Sequence, residues 1–317
     1  MGLVEFSSVF MLDGIEARVT PDSIHFGSVE IPMAGGIPRF VRPGETYSDG
    51  NFSELRKKHA TLQLDSVNGT TDRRMTLLSR TNWEPTRLRD KLVLECGCGA
   101  GPDTEVLLSL GGRVLAADLA GVDVARNNLG DRPQLCLIQA DIMNLPLRPA
   151  TFDTVFCHRV LQHTPDPERT LRHILTFVKP DGDVFVHSYA KTAKQMWNWK
   201  YVLRPLSTRM SPETLYSFIK RTAPALMSVS EAMCRSAFGR RIHYVMVPFR
   251  YYGHKEKFRT LTREQILEYG IHDTFDALAP RYDRPLSAKK IRAIASEYLS
   301  RPFEVVESGA VTLLRTL

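Results

Sequence analysis

Glycines and a carboxylate are spaced through residues 92–120, LVLECGCGAGPDTEVLLSLGGRVLAADLA, in a way that suits nucleoside binding. Gly97, Gly99 and Gly101 alternate directly after a short apolar run, and Asp118 ends the next apolar run. Glycine tolerates the positive φ of a tight turn and lets the backbone approach a ligand more closely than a side chain would permit. A carboxylate after the second strand can accept hydrogen bonds from ribose hydroxyls. The spacing therefore predicts a nucleoside site.

The same stretch excludes two common phosphate-binding loops and favours a cationic ligand. The fingerprint G-x-G-x-x-G requires a third glycine where this chain has Pro102 or Thr104, and a Walker loop requires a Gly-Lys-Ser/Thr that does not follow. Glu95, just before the turn, places a carboxylate that would repel phosphate and attract an ammonium group. A nucleoside with a cationic amino-acid tail is S-adenosylmethionine, and we expect it to be the cofactor.

His163 is the candidate catalytic residue. It follows the fourth predicted strand, where a neutral imidazole would face the bound cofactor and could take a proton from a substrate near pH 7. The alternative is a hydrogen-bonded structural histidine. His187 and Tyr189, at the end of the fifth strand, either line the same pocket or are ordinary sheet residues. Displacement at a sulfonium needs mainly alignment and desolvation of the reactants, so a base is not obligatory.

No metal site is expected. His158, His163, His173 and His187 lack the helical His-x-x-x-His spacing and the clustered carboxylates of common metal sites. The cysteines have neither the paired spacing of a zinc site nor the density of a disulfide scaffold. We expect five reduced, packed thiols, those of Cys96, Cys98, Cys136, Cys157 and Cys234.

Strands and helices alternate through residues 91–189 and must position these side chains. The patterns predict strands in KLVLECG, RVLAADL, LCLIQADI, FDTVFCHRV and DVFVHSY. They predict helices in DTEVLLSLGG, VDVARNNLG and PERTLRHILTFVKPDG, the last ending at a Pro-Asp-Gly turn. Such short alternation is typical of right-handed βαβ units in a parallel sheet with helices on both faces. The predicted fold class is α/β, a doubly wound, mostly parallel seven-stranded sheet with a C-terminal antiparallel hairpin.

The chain divides into four predicted regions. Residues 1–58 form a small β-rich lead-in, and residues 59–189 form the Rossmann-like cofactor-binding core, beginning with one or two helices. Residues 190–260 form a basic helical insert, and residues 261–317 complete the core with the terminal hairpin FEVVESGAVTLLRTL.

The flanking regions carry further local signals. SIHFGSVEIPMAGGIPRFV resembles a hairpin that turns at residues 34–36. Thr262 and Gln265 are spaced as a capping box at the start of a helix. A further helix is predicted from Ser287 to Leu299.

The composition is that of a globular protein, with an uneven charge. Among 317 residues, 43% are hydrophobic and 24% charged, which excludes disordered, collagen-like and coiled-coil classes, and no run approaches the roughly 20 apolar residues of a membrane span. The net charge is +7, and residues 191–260 hold 14 Lys or Arg against three Glu. The N-terminal residues lack a signal-peptide pattern, and Phe6 stands where myristoylation requires Ser or Thr. We expect a cytoplasmic protein.

Five motifs in order resemble the class I S-adenosylmethionine-dependent methyltransferases, close to the group that includes the quinone-pathway enzymes. They are LECGCGAG, AADLA, QADIMNLP, FDTVFCHRVLQH and VKPDGDVFVHSY. The resemblance implies a Rossmann-like fold, a reversed last strand and methyl transfer in biosynthesis. In many bacterial relatives a zinc ribbon with paired cysteines precedes a GIPRF-like strand. This chain keeps residues 36–40 without those cysteines, so we expect the strand to dock and the zinc to be absent.

The resemblance also implies roles for individual residues. Glu95 takes the place usually held by Asp, and Asp118 would hold the ribose. Asp141 would accept a hydrogen bond from the adenine amine, with Ile142 against the ring, although Asp is also a preferred helix cap. His158 would lie where the methionine part passes. The implied cofactor site consists of Glu95, Gly97, Cys98, Gly99, Gly101, Asp118, Leu119, Asp141, Ile142 and His158.

The basic insert has several possible functions. It suits a cap over the substrate pocket, a patch for RNA phosphates or an amphipathic surface that meets anionic lipid, and it also suits a solvated basic face over packed aromatic rings. DTFDALAPRYDRPLS resembles a stretch of bacterial members that act on small molecules, which favours a cap.

The sequence therefore predicts a methyltransferase. We expect transfer to oxygen, rather than nitrogen or carbon, of an anionic small-molecule, glycan or lipid-intermediate acceptor. One alternative is a tRNA- or RNA-modifying methyltransferase that uses the basic insert. The other is a non-catalytic protein that binds S-adenosylmethionine and acts on a partner.

Overall fold

The computed structural model describes residues 2–41, 57–192, 198–255, 258 and 261–317, which form two compact units. The first unit comprises the described residues within Met1–Ser48, Gln63–Lys191 and Tyr282–Leu317. The second comprises those within Asp49–Leu62 and Thr192–Arg281. The helix of residues 263–278, which the sequence placed with the core, is thus part of the second unit.

Short antiparallel strands form the lead-in of the first unit. Its aromatic side chains Phe6, Phe10 and Phe26 are buried in the same apolar cluster as the central sheet, which is why so short a segment is ordered. The predicted hairpin around residues 34–36 is present, and a second hairpin turns before it at Gly27. The strands are β1 (Met11–Leu12), β2 (Ile15–Glu16), β3 (Arg18–Val19), β4 (Ile24–Phe26), β5 (Val29–Ile31), β6 (Met33–Ala34) and β7 (Ile37–Pro38).

The GIPRF segment docks on the edge of the central sheet. Arg39 forms a parallel bridge with Gln139, and the Phe40 amide donates to the Gln139 carbonyl at 2.8 Å. The Arg39 guanidinium also pairs with the Asp123 carboxylate at 2.5 Å. The strand therefore docks without the cysteines of a zinc ribbon.

A seven-stranded sheet forms the centre of the first unit. In space its strands run β10-β9-β8-β11-β12-β14-β13; the first five are parallel, and β14 is antiparallel to both neighbours. The predicted α/β class and C-terminal antiparallel hairpin are confirmed. The strands are β8 (Leu92–Cys96), β9 (Arg113–Asp118), β10 (Leu135–Gln139), β11 (Phe152–His158), β12 (Val178–Tyr189), β13 (Phe303–Ser308) and β14 (Val311–Thr316).

Both faces of the sheet are covered, as continuous apolar runs in parallel strands require. Val93 of β8 points into one apolar cluster and its neighbour Leu94 into the other, because successive strand side chains alternate between faces. The helices of this unit are α1 (Gly2–Glu5), α2 (Asp65–Asn68), α3 (Asp72–Thr81), α4 (Pro102–Ser109), α5 (Val122–Leu129), α6 (Pro167–Leu175) and, after the second unit, α11 (Ala288–Tyr298).

The prediction of a Pro-Asp-Gly turn after α6 is wrong. Residues 180–182 lie inside β12, where the register against β11 shifts between Phe152, opposite Val178, and Thr154, opposite Asp183. Between these two pairs, one residue of β11, Asp153, therefore lies opposite four residues of β12. The turn-forming residues are absorbed by a bulge, which bends a strand without ending it.

The second unit is helical. Its core contains Trp199, Leu215, Phe249 and Phe275. The predicted capping box of Thr262 and Gln265 is confirmed. The helices are α7 (Trp199–Ser207), α8 (Pro212–Cys234), α9 (Ala237–Met246) and α10 (Arg263–Leu278).

The prolines of the insert do not all interrupt helices. Pro212 occupies the first turn of α8, where its missing N–H costs nothing. Pro205 and Pro224 lie inside α7 and α8. Packing of the helices into the core thus overrides the helix-breaking preference of proline at these two positions.

Candidate cofactor and active site

The carboxyl ends of the parallel strands bring the predicted site residues to one edge of the sheet. The strand order reverses between β8 and β11, which is where doubly wound sheets bind ligands. Gly97 follows β8, Asp118 ends β9, Asp141 follows β10 and His158 ends β11. Since these four strands are neighbours and parallel, the four positions share the edge that surrounds this point.

The glycine loop after β8 is tightly folded. Gly97, Gly99 and Gly101 have φ of 88°, 57° and 91°, the left-handed region that favours glycine. A Cβ atom on Gly97 would lie 2.2 Å from the Val160 Cγ2 atom, and one on Gly121 would lie 2.4 Å from the Gly99 carbonyl oxygen. The loop therefore depends on bare backbone at positions that include Gly121, which sequence reasoning missed.

The Asp118 carboxylate holds this loop in place by accepting hydrogen bonds from backbone amides. Its Oδ2 atom accepts a hydrogen bond from the Gly99 amide, and its Oδ1 atom accepts from the Ala120 and Gly121 amides, all at 2.8 Å. A carboxylate has about four acceptor positions. Three are used by the backbone, and one on Oδ2 remains for a ligand hydroxyl.

Glu95 is buried beneath the loop. Its side chain is 1% exposed, and its Oε2 atom accepts a hydrogen bond from the Thr104 hydroxyl at 2.6 Å. Burial, with the negative charge of Asp103 nearby, raises the pKa of Glu95 to about 8. The carboxyl group therefore carries a proton at neutral pH.

Asp103, in the first turn of α4, forms a buried ion pair. Its two oxygens accept hydrogen bonds from Nε and Nη2 of Arg73 at 2.7 and 2.6 Å, and Oδ2 also lies 2.9 Å from Nδ1 of His158. Burial acts to raise the pKa of Asp103, but the Arg73 guanidinium and the His158 ring hold it well below its usual range. Asp103 is therefore ionised at neutral pH.

His158 links this ion pair to a second arginine. Its Nε2 atom lies 2.8 Å from Nη1 of Arg80, which can only donate, so Nε2 is the acceptor and Nδ1–H donates to Asp103. Burial lowers the pKa of His158 to about 4. The ring is neutral at physiological pH and holds Arg73, Asp103 and Arg80 in one hydrogen-bonded chain.

One more histidine, His187, and one more arginine, Arg159, lie near this chain of hydrogen bonds. His187 is buried with its ring 4.5 Å from the His158 ring, and burial holds its pKa well below the usual value. Arg159, directly after β11, is exposed and has a left-handed φ of 63°, which is uncommon outside glycine. Burial, with the positive charges of Arg159 and Arg73, lowers the pKa of Arg80 to about 10. Positive charge therefore exceeds negative charge at this end of β11.

His163 lies on a short 3-10 turn after β11. Its Nδ1 atom is 3.0 Å from the Tyr282 carbonyl oxygen, which can only accept, so Nδ1 carries the proton and Nε2 is the basic nitrogen of the neutral ring. The Tyr189 ring meets it edge to face at 5.6 Å between centroids. The contacts are compatible with both predicted roles, a base at Nε2 and a structural hydrogen bond at Nδ1.

The remaining predicted cofactor residues lie at the same edge. Asp141 accepts a hydrogen bond from the Met143 amide at 2.9 Å, which makes a turn and not the cap of a described helix. Ile142 and Cys98 are buried, and Leu119 is partly exposed after β9.

Three of the four histidines considered as metal ligands, His158, His163 and His173, have hydrogen-bond partners in the protein. The described residues contain no group of three His, Cys, Asp or Glu side chains that could hold a metal ion. His173 accepts a hydrogen bond from the Leu145 amide at 2.9 Å. The five cysteines are buried and free, as predicted.

Sequence reasoning missed the arginines of the site. Arg73 and Arg80 belong to a helix whose polar pattern gave no functional signal, and their partners are 30 and 78 residues away. Arg159 stands next to a predicted residue, yet only its backbone conformation distinguishes it.

The chain is similar to known methyltransferases. A family described as "Methyltransferase domain" matches residues 94–186. A ubiquinone biosynthesis O-methyltransferase of Neisseria meningitidis serogroup C (strain 053442) is 29% identical over 217 residues, which cover 64% of this chain and 80% of the relative. One of Azotobacter vinelandii (strain DJ / ATCC BAA-1303) is 31% identical over 168 residues, 50% of this chain and 69% of the relative. Human N-acetylserotonin methyltransferase in complex with SAM superposes with a TM-score of 0.44 at 16% identity, over 87% of this chain and 59% of that one.

Proposed function

The chain belongs to the class I S-adenosylmethionine-dependent methyltransferases, and we propose that it methylates an oxygen atom of a small-molecule acceptor that bears an anionic group. The observation that carries this proposal is the hydrogen bond from Nδ1–H of His163 to the Tyr282 carbonyl, which makes Nε2 the basic nitrogen of the ring. The similarity to ubiquinone biosynthesis O-methyltransferases supports oxygen as the methylated atom. The test is formation of S-adenosylhomocysteine with hydroxylated acceptors; a protein that binds the cofactor and never forms this product contradicts the proposal.

The residues at the sheet edge fit S-adenosylmethionine, whose sulfonium supplies an activated methyl group when bound. Three residues of the glycine loop, Gly97, Gly99 and Gly101, have no side chain, which would let a ligand lie against their backbone. The remaining acceptor position on Oδ2 of Asp118 suits one ribose hydroxyl. Glu95, buried and protonated, would neutralise the ammonium of the methionine part after losing its proton.

The other assignments at this edge extend the same proposal. Asp141 and Ile142 would contact the adenine ring. Leu119 directly follows Asp118, and Cys98 lies within the glycine loop. His158 would face the methionine part.

We expect Gly97→Ala to weaken S-adenosylhomocysteine binding about tenfold or more. Its Cβ atom would overlap the side chain of Val160, and relieving an overlap of this kind costs about 1–3 kcal/mol. Calorimetry measures the affinity. The matched control is Gly130→Ala, because Gly130 also has a positive φ, 67°, and a Cβ atom there would meet nothing within 4 Å. Equal affinity losses in the two variants would contradict a specific role for the loop.

His163 is proposed as the general base. The Tyr282 carbonyl fixes the ring so that Nε2 accepts the hydroxyl proton while the methyl group is transferred. The oxygen then attacks with more negative charge than a neutral hydroxyl offers. The packed edge of Tyr189 restricts rotation of the ring, which keeps Nε2 in one direction.

Two amide replacements separate the catalytic role of His163 from the structural one. His163→Asn keeps a donor near the Nδ1 position and removes Nε2, so we expect kcat to fall about 100-fold or more while the fold persists. His163→Gln loses the Nδ1 donor. A kcat near that of the unchanged protein in the Asn variant would show that only the bond to Tyr282 matters. Initial rates and thermal unfolding of both variants decide this.

An anionic acceptor is favoured by the arginines at the end of β11. Among the described residues, the Arg80 guanidinium forms a hydrogen bond only with the neutral ring of His158, and the exposed Arg159 pairs with no carboxylate. Asp103 is already engaged by Arg73 in two hydrogen bonds. A carboxylate or phosphate on the acceptor would balance the remaining positive charge.

Arg159→Gln is expected to raise KM for 3,4-dihydroxybenzoate about tenfold and to leave KM for neutral catechol unchanged. A lost hydrogen bond to a charged group is worth about 1.5–3 kcal/mol. The control Arg89→Gln removes an exposed arginine elsewhere on the first unit. If the variant instead weakens S-adenosylmethionine binding, the anion at Arg159 is the carboxylate of the cofactor, and the acceptor assignment is wrong.

A further inference from the structure

Three helices of the second unit carry apolar side chains on their outer faces. Val202 and Leu206 of α7 are 75% and 67% exposed, Phe218 of α8 is 59% exposed, and Phe238 of α9 is 71% exposed. The inner faces of these helices already form the core around Trp199, Leu215 and Phe249. The outer apolar residues are therefore not needed to fold this unit.

The outer faces of α8 and α9 combine these apolar residues with an exposed arginine, and an exposed arginine follows α7. Residues three, four or seven positions apart share a helix face, as do those eleven apart. By this rule α8 presents Phe218, Arg221 and Val229, and α9 presents Phe238, Arg241 and Val245. Val202 and Leu206 share a face of α7, and Arg209 lies in the turn after its end. All nine side chains belong to exposed residues. We call these three groups the outer stripes.

The arginines of the outer stripes are available for an external anion. Within the described part of the chain, neither Arg221 nor Arg241 pairs with a carboxylate, and the Arg209 guanidinium donates only to the Pro205 carbonyl of α7. The region is strongly basic, with 14 Lys or Arg against three Glu in residues 191–260. An acidic counterpart is therefore expected outside the chain.

We propose that the outer stripes of α7, α8 and α9 bind the surface of an anionic lipid bilayer. Interleaved apolar and basic side chains on helices match an interface in which rings and aliphatic groups enter the acyl boundary and guanidinium groups meet lipid phosphates. No described helix is long and apolar enough to cross a membrane, so the helices would lie on the surface. This inference is independent of the acceptor assigned above.

Other occupants fit the outer stripes less well. Nucleic acid would use the arginines, but it offers nothing to the aliphatic groups of Val202, Leu206, Val229 and Val245. A second copy of the chain would bring two basic faces together, and like charges repel. A lipid surface satisfies both components at once.

The test is co-sedimentation with vesicles of phosphatidylcholine, alone or mixed with phosphatidylglycerol. The unchanged protein is expected to bind the mixed vesicles, with affinity that falls as salt rises. Phe218→Ser together with Phe238→Ser is expected to weaken binding about tenfold or more, since each ring is removed from an apolar environment. Arg221→Gln with Arg241→Gln is expected to weaken it about tenfold and to reduce the salt dependence.

Matched controls lie on the first unit. Val29→Ser removes a 51% exposed valine, and Arg89→Gln removes an exposed arginine; neither is expected to change vesicle binding. Circular dichroism and thermal unfolding confirm that each variant is folded. Equal binding to neutral and mixed vesicles, or no loss in the phenylalanine variant, overturns the proposal. So does binding of tRNA, or self-association, that depends on the same side chains in place of vesicle binding.

Discussion

Replacement of Asp103 by alanine is expected to lower the free energy of unfolding by about 3–5 kcal/mol. The carboxylate is buried and accepts hydrogen bonds from Arg73 and His158, so its removal leaves a largely buried guanidinium without its counter-ion. The cost is that of an uncompensated charge, which exceeds the net value of the pair itself. Urea denaturation monitored by circular dichroism measures it.

The matched control for Asp103 is Asp123→Ala. Asp123 also pairs with an arginine, Arg39, but its side chain is 65% exposed. Exposed ion pairs contribute about 0–1 kcal/mol. The loss of unfolding free energy should therefore be several-fold larger for Asp103→Ala than for Asp123→Ala. Similar losses in both would mean that burial does not decide the value of the Arg73–Asp103 pair.

The Asp103 ion pair also makes the free energy of unfolding depend on pH. The carboxyl releases its proton at a lower pH in the folded protein than in the unfolded chain, where the pKa is about 3.9. The folded state thus binds fewer protons in this acid range. The contribution of Asp103 is complete at neutral pH and is lost as the pH falls below about 4.

Glu95→Gln is expected to increase stability at alkaline pH and to weaken cofactor binding. The folded protein keeps the Glu95 proton up to a pKa of about 8, whereas the unfolded chain releases it near pH 4.3. The folded state binds more protons in this range, so stability falls as the pH rises. Between pH 5 and pH 8 the unchanged protein should lose about 4 kcal/mol relative to the Gln variant, which cannot ionise.

Unfolding free energies at several pH values test the Glu95 prediction. Glu84→Gln, at an exposed position, serves as the control and should show the same pH dependence as the unchanged protein. Calorimetry below pH 8 in buffers of different ionisation enthalpy should detect proton release when S-adenosylmethionine binds. Cofactor binding without proton release, and unaltered in the Gln variant, would refute the contact between Glu95 and the ammonium.

The strand and helix pattern was predictable because local periodicity determined it. The alternation from KLVLECG to DVFVHSY predicted five parallel strands, and the glycine loop and Asp118, for which a nucleoside site is predicted, lie at the carboxyl ends of neighbouring strands. The turn predicted at the Pro-Asp-Gly segment is wrong, because local turn preference does not reveal that β11 and β12 continue to pair around a bulge.

The electrostatics of the site were not predictable in the same way. Asp103 lies in a predicted helix, but nothing in the local sequence indicates that its main partner is Arg73, 30 residues away. The protonated state of Glu95 follows from burial by elements distant in sequence. Single residues such as Arg159 and Gly121 gave no signal, because their roles depend on backbone geometry that only the folded chain displays.

The order of the segments along the chain has a consequence for biosynthesis. β12 pairs with β14, with Phe185 opposite Arg315, and the larger part of the second unit, Thr192–Arg281, is translated between these two strands. While the ribosome makes that unit, the edge of β12 has only β11 as a neighbour and exposes unpaired backbone. Nascent chains stalled after residue 281 should therefore recruit chaperones until the last two strands emerge.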